Sequence, residues 1–182
     1  MIWVFGYGSL MSDGWEADYN CLRRERACIF GYERSFTKAS TVNWGSKSHP
    51  APTLQVVPLN GGVCSGIAFE FDETSGEAVF AYLRQREGKG FECQNVALEL
   101  ETGEIVEGGC FFYRGKNVIA DNDLDHIANM VLKAHGRDGT GLDYVYRVKR
   151  ELDVMGIRDE ATEALVRVIA KKRQPKRPAP FA

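Results

Sequence analysis

Glu87 is an acidic residue at a position where an apolar one is expected. Val79, Leu83 and Glu87 follow one another at intervals of four on a predicted helix, so the carboxylate continues the face that should be buried. The helix is predicted to end at Gly88, where the negative end of its dipole disfavours a carboxylate by roughly 0.3–1 kcal/mol. Because burial and the helix end both raise a carboxyl pKa, this residue has the character of a proton-transfer group. The alternative is a solvated glutamate, or one that forms a salt bridge with a neighbouring arginine.

A glycine-rich turn near the amino terminus is the second candidate, with the sequence Gly6-Tyr7-Gly8-Ser9-Leu10. Glycines let successive backbone N–H groups point into one concavity, and such a nest suits a carboxylate, an oxyanion or a phosphate. The alternative is that these glycines only turn the chain. Met11 stands where a dinucleotide fingerprint needs its third glycine and where the G-x-S-x-G motif of serine hydrolases needs its last one. Neither of those classes is supported.

The histidines, cysteines and acids show no metal-ligand spacing, so we expect no metal site. The five cysteines are odd in number and contain no C-x-x-C pair, which predicts reduced, mostly buried thiols rather than a disulfide framework. No apolar run approaches the roughly 18 residues that span a bilayer, and the first residues lack the features of a signal peptide. We therefore expect a cytoplasmic protein without a membrane segment.

The elements that must position the candidate residues are mostly strands in the first part of the chain and mostly helices in the last. Because strands and helices do not alternate regularly, the order favours an α+β fold over a doubly wound sheet. Many short strands separated by Gly, Pro and Asn favour a small mixed β-barrel or a curved sheet with helices packed around it. The strands are predicted over residues 2–5, 27–32, 54–58, 64–71, 96–100, 104–107 and 110–114.

Four helices are predicted from apolar periodicity and from capping residues. Thr74 and Glu77 are expected to form a capping box for the first helix. Asp123 and Asp159 are expected to cap the second and the fourth, and Gly136 to end the second. The third helix is predicted over about 142–154.

Residues 1–170 are expected to form a single domain, and residues 171–182 a basic, proline-rich, disordered tail. The tail carries five of the 23 Lys and Arg residues and no acid, so the domain is more acidic than the formal net charge of −2 suggests. An acidic domain lacks the clustered cations that displace counterions from phosphates, and we expect no nucleic-acid partner. The sequence leaves the oligomeric state open.

Two motifs together resemble the ChaC-like branch of the γ-glutamylcyclotransferases. The glycine-rich turn is similar to the family's F-G-Y-G-S-L, and residues 82–91, YLRQREGKGF, are similar to its Y-L-x-x-R-E-K-x-G-Y. Residues 64–68 resemble its W-G-V-A strand, residues 34–41 its R-x-F-x-x-x-S-T stretch, and residues 142–145 its T-E-Y-L helix. The likeness extends over about residues 2–160.

The resemblance implies a γ-glutamylcyclotransferase-like barrel and an enzyme without a cofactor. Its substrate is a γ-glutamyl amide, glutathione first of all, and the substrate's own α-amine attacks the γ-carbonyl to give 5-oxoproline and a free amine such as Cys-Gly. Glu87 is the implied catalytic base, which takes a proton from the ammonium and returns it to the leaving nitrogen. The implied substrate-binding residues are Tyr7, Gly8, Ser9, Leu10 and Tyr144, with Arg34, Ser40 and Thr41 in a possible substrate loop.

The chain departs from the family pattern at three places, two of which lie in a loop that is expected to read the part of the substrate beyond the γ-amide. Phe91 replaces a frequent tyrosine, Val42-Asn43-Trp44 replaces D-H-R, and Pro52-Thr53 replaces P-G-R. Two alternatives therefore stay open beside a glutathione enzyme. One is a cyclotransferase for γ-glutamyl amines or for a γ-glutamyl-protected metabolite, and the other is a non-catalytic ligand-binding module of the same fold.

Overall fold

A closed barrel of five strands forms the centre of the protein, whose computed structural model describes residues 1–174. The strands run in the spatial order β1-β3-β2-β4-β5. Neighbours pair antiparallel, except that β1 and β5 close the barrel as a parallel pair, so the sheet is mixed. The bounds are β1 Ile2–Gly6, β2 Arg23–Ser40, β3 Ala51–Phe71, β4 Phe91–Leu100 and β5 Ile105–Tyr113. The expected α+β fold around a small mixed barrel is confirmed.

The strands β2 and β3 are much longer than the short strands predicted from the sequence. They form a hairpin in which β3 runs without a break through residues 59–63, where the sequence predicts a gap between two strands. At that point the pairing changes from Phe30 opposite Val63 to Tyr32 opposite Pro58, so residues 59–62 bulge out of the ladder. Local turn signals therefore mark a bulge within one strand and not the end of a strand.

Four α-helices lie in the described part of the chain: α1 Gly76–Glu87, α2 Leu124–Lys133, α3 Gly141–Val154 and α4 Glu160–Arg173. The expected caps Asp123 and Asp159 are confirmed, since each side chain accepts a backbone N–H from the first turn of its helix. The expected capping box of Thr74 and Glu77 is wrong. The side chain of Asp72 instead accepts the Thr74 N–H across a short 3₁₀ turn that precedes α1.

Two further boundaries differ from the expectation. The helix α2 ends at Lys133, three residues before the expected stop at Gly136. The helix α4 continues through Arg173, so the first three residues assigned to the basic tail are helical. Residues 175–182 lie outside the described residues, and the disordered tail stays a prediction there.

The core has two layers, which the alternation along β1 separates. Trp3 and Phe5 point into the barrel, where they pack with buried side chains from all of the other strands. Val4 points outward and belongs to the layer beneath the helices, together with Val79 and Leu83 of α1. The helix α1 is thus fixed to the barrel by the apolar face that leads to Glu87.

A buried ion pair joins the barrel to the last helix. The Arg34 side chain on β2 is fully buried, and its Nη1 lies 3.1 Å from Oδ2 of Asp159. Its Nε donates to the carbonyl oxygen of Tyr7 at 2.8 Å, and its Nη2 donates to that of Ser65. One guanidinium therefore connects the turn after β1, the strands β2 and β3, and the start of α4.

We expect Asp159→Asn to lower the free energy of unfolding by roughly 3 kcal/mol, because the change leaves the Arg34 charge buried without a counter-ion. Asparagine still caps a helix, so loss of the cap does not contribute. Urea unfolding measures the effect. The matched control is Asp123→Asn, an exposed cap of α2 that has no ion pair within residues 1–174, and it should shift the same free energy by less than about 0.5 kcal/mol. Equal shifts in the two variants would contradict this account.

Candidate active site

A cavity of about 280 Å³ brings together residues that are far apart in the sequence. The glycine-rich turn, the end of α1, the end of β2, the start of β3 and α3 all contribute to it. Its lining includes Tyr7, Gly8, Ser9, Leu10, Ser40, Glu87 and Tyr144. Seven of the residues singled out in the sequence thus share one site.

The end of α1 places Glu87 in this cavity. Val79 and Leu83 are fully buried, as the spacing predicts, and the Glu87 side chain that continues their face is 16% exposed. The helix ends directly after Glu87 because Gly88 adopts a φ of +77°, a left-handed conformation that favours glycine, and its N–H bonds to the Arg84 carbonyl oxygen. A carboxylate is therefore held at the helix terminus and turned inward.

Three charged neighbours surround the Glu87 carboxylate. Burial raises its pKa, and this is the largest effect; Arg86 and Lys38 lower the pKa, and Asp13 raises it. The nearest cation is Arg86, with its Nε 3.8 Å from Oε1 of Glu87, but its guanidinium also forms an ion pair with Asp13. The salt bridge considered from the sequence is thus long and shared, and the carboxylate still faces the cavity.

Hydrogen bonds to the barrel hold the glycine-rich turn in place, and residues 7–10 of the turn line the cavity. The Tyr7 hydroxyl donates to the Phe111 carbonyl oxygen at 2.7 Å, and the Tyr7 carbonyl accepts from Arg34. A Cβ at Gly6 would lie 3.0 Å from Cβ of Leu10, closer than side chains normally approach, so the close turn favours glycine there. Ser9 reaches the end of α1, where its Oγ lies 3.3 Å from Nη2 of Arg86. The turn and the acid therefore border the same space.

Tyr144 on α3 presents its hydroxyl to the cavity. The hydroxyl oxygen accepts the Leu54 N–H at 3.0 Å, so its own proton remains available to a ligand. Burial raises the pKa of Tyr144, so its hydroxyl stays protonated. Trp44 covers the ring at a centroid distance of 5.3 Å. Tyr144 is thus a fixed hydrogen-bond donor.

The three residues expected in a substrate loop lie in different places. Arg34 lies within β2 and is buried beneath the turn, so its placement in a substrate loop is wrong. Ser40 is the last residue of β2 and lines the cavity, whereas Thr41 follows it outside the lining. The loop reaches the cavity through Asn43 and Trp44, at the positions where the sequence departs from the family pattern.

Lys38 and Arg86 line the cavity but were not among the residues expected from the sequence. Arg86 directly precedes Glu87, and this adjacency was a signal for it. The position of Lys38 depends on an irregularity in the ladder: Ser35 pairs with Gln55 and Lys38 with Thr53, so β2 carries one extra residue between the pairs. An extra residue reverses which side chains face which side, and periodicity alone does not reveal it.

Within residues 1–174, no group of three or more His, Cys, Asp or Glu side chains is arranged to hold a metal ion. The five cysteines are free, with Cys64 and Cys110 buried and the others partly buried. In the same part of the chain, no helix has both the length and the apolar composition needed to cross a membrane.

The arrangement as a whole is a polar cavity with one buried acid, a hydroxyl donor and a backbone turn, a site for acid–base chemistry on a small molecule.

Comparison with known proteins agrees with this class. The sequence model of the family described as ChaC-like protein matches residues 2–172. A protein of Escherichia coli K12 named glutathione-specific γ-glutamylcyclotransferase is 27% identical over 177 residues, which cover 93% of this chain and 73% of the relative. A protein of Arabidopsis thaliana named γ-glutamylcyclotransferase 2-3 is 25% identical over 169 residues, which cover 87% of this chain and 83% of the relative.

A crystal structure described as the glutathione-specific γ-glutamyl cyclotransferase from yeast superposes with a TM-score of 0.80. The superposition covers 94% of this chain and 96% of the yeast chain. The two sequences are 20% identical, so the likeness shows a common fold. The chain belongs to the ChaC-like protein family. The family and the fold expected from the sequence are confirmed, and so is the enzyme class at the level of the family, whose curated relatives are named γ-glutamylcyclotransferases.

The raised pKa of Glu87 predicts that this residue destabilises the fold at neutral pH. The folded protein holds the proton to a higher pH than the unfolded chain, whose glutamate titrates near 4.5, so stability falls as the pH rises through the window between the two pKa values. We expect Glu87→Gln to gain stability relative to the parent across that window, measured as the difference in melting temperature from pH 4 to pH 8.

Glu77→Gln is the matched control for that experiment, since it removes an exposed carboxylate from the first turn of the same helix. A stability difference between Glu87→Gln and the parent that stays constant with pH, or that shrinks as the pH rises, would contradict the burial of Glu87.

Proposed function

We propose that this protein is a γ-glutamylcyclotransferase that cleaves glutathione or a closely related γ-glutamyl amide to 5-oxoproline and a free amine. The observation that carries the proposal is the buried Glu87 carboxylate in one cavity with the Tyr7–Leu10 turn. The names of the relatives support the same reaction. The proposal includes a cytoplasmic location, which the five free thiols favour, since disulfides are rare in that compartment.

The reaction needs a base rather than a protein nucleophile, because the attacking group belongs to the substrate. The α-ammonium gives a proton to Glu87, the resulting amine attacks the γ-carbonyl carbon, and the bond from that carbon to the leaving nitrogen breaks. Two protons leave the attacking nitrogen and two arrive at the leaving nitrogen, with Glu87 as the relay, so the carboxylate is regenerated. Burial raises the pKa of Glu87 and makes it a better acceptor for this proton.

The remaining residues hold the substrate in the cyclising conformation. The backbone N–H groups of the turn bind the γ-glutamyl head, most directly its α-carboxylate. Tyr144 donates its hydroxyl proton to a substrate oxygen while its own oxygen stays fixed by the Leu54 N–H. Holding the amine against the γ-carbonyl lowers the barrier by proximity, since both groups belong to one molecule.

Glu87→Gln keeps the size of the side chain and removes the base. We expect kcat to fall on the order of 10²–10⁴-fold, measured as 5-oxoproline released from glutathione by the purified protein. The Glu77→Gln variant should release it at the parental rate. If Glu87→Gln also did so while folded, the assigned role would be wrong, and a folded parent that releases none would refute the proposed function.

Tyr144→Phe removes the hydroxyl and leaves the ring in place against Trp44. We expect kcat/KM to fall about tenfold, the size of one lost neutral hydrogen bond. The same 5-oxoproline assay measures it. Tyr146→Phe is the matched control, because Tyr146 lies on α3 but is exposed and outside the cavity lining. Equal rates in Tyr144→Phe and the parent would exclude Tyr144 from substrate binding.

A further inference from the structure

Lys38 is a cation of the cavity that has no carboxylate to pair with in the described part of the chain. Two basic side chains line the cavity, Lys38 and Arg86. Arg86 is occupied by Asp13 and by the Ser9 hydroxyl. No carboxylate oxygen of residues 1–174 lies within 4.0 Å of Nζ of Lys38. Burial lowers the pKa of Lys38, and the Glu87 carboxylate opposes that shift. The ammonium group of Lys38 therefore borders the cavity without a carboxylate partner in residues 1–174.

Two aromatic rings hold this ammonium group in place. Its Nζ lies 5.7 Å from the ring centroid of Phe91 and 5.4 Å from that of Tyr113, and the two rings pack edge to face at 5.2 Å. The Lys38 backbone is fixed as well, since its carbonyl oxygen accepts the Thr53 hydroxyl at 3.0 Å. A cation over aromatic faces keeps its charge available to an anion on its open side. Lys38 thus has the arrangement of a preformed anion subsite.

The neighbours of Lys38 indicate which part of a substrate it faces. The turn that suits the γ-glutamyl head contacts the end of α1 through Ser9 and Arg86. Lys38 contacts instead Phe91 and Tyr113, at the start of β4 and the end of β5. A cation beside the α-ammonium would repel it unless a carboxylate neutralises the charge, as Asp13 does for Arg86. Lys38 has no such partner within residues 1–174, so it suits a position beyond the scissile amide. The leaving group is the part that remains for Lys38.

We propose that Lys38 is a specificity-determining residue that binds a carboxylate carried by the leaving amine. The enzyme then prefers γ-glutamyl amino acids and peptides with a free carboxyl terminus over γ-glutamyl amines, whose leaving groups are neutral or cationic. This inference rests on the proposed function and narrows its substrate class. It also gives a role to Phe91, whose ring supports the ammonium where a phenol is frequent in the family pattern.

The test compares two substrates that differ only at this carboxylate: glutathione and glutathione amidated at its C-terminus. We expect the parent to favour the acid, and Lys38→Gln to lower the ratio of kcat/KM for the acid to kcat/KM for the amide 10- to 100-fold. Lys38→Arg keeps the charge and should retain the preference for the acid. Lys133→Gln, on the exposed side of α2, is the control for loss of a distant positive charge.

The preference is the ratio of the two kcat/KM values in one preparation, so it does not depend on how much of a variant is folded. Any effect of Lys38 on the Glu87 carboxylate acts on both substrates and cancels from the ratio. An equal fall for acid and amide would assign Lys38 to the common γ-glutamyl head and overturn the inference. An active parent without preference for the acid would also overturn it, whereas a parent inactive on both substrates would refute the proposed function itself.

Discussion

The buried guanidinium of Arg34 is the constraint on which the arrangement of the site depends. A charge without access to water must be fully paired, and Arg34 achieves this with the carbonyl oxygens of Tyr7 and Ser65 and the carboxylate of Asp159. These partners lie on three different parts of the chain. Because each partner must reach the guanidinium of Arg34, the turn, the barrel and α4 are fixed relative to one another. The turn is thereby held where residues 7–10 line the cavity.

Arg34 stabilises the fold, whereas Glu87 lowers its stability and is the residue that the proposed reaction uses. Burial of its side chain at the end of the apolar face of α1 raises its pKa, which costs stability once the group is ionised. An apolar residue would serve the packing of α1 better. The same burial makes the carboxylate a stronger base, so the feature that weakens the fold is the one the proposed reaction uses.

The proposed reaction assigns the polar groups of the cavity to the two ends of a γ-glutamyl amide. In the proposed reaction, backbone N–H groups of the turn bind the γ-glutamyl head, and Lys38, whose Nζ lies over the rings of Phe91 and Tyr113, binds an anion beyond the amide. Glu87 lies in the lining shared by both sets. If this assignment holds, substitutions on β2 and β4 change the preference for the leaving group and leave Glu87 in place.

Local patterns in the sequence determined the α+β class, the inward acid at Glu87 and the glycine-rich turn, because helical spacing, glycine content and capping residues act over a few neighbouring positions. They also gave the caps Asp123 and Asp159. Only the tertiary structure decided the length of β2 and β3, the burial of Arg34 and the position of Lys38. Strand pairing and an extra residue in the ladder depend on partners far along the chain, and no local pattern of charge or hydrophobicity encodes them.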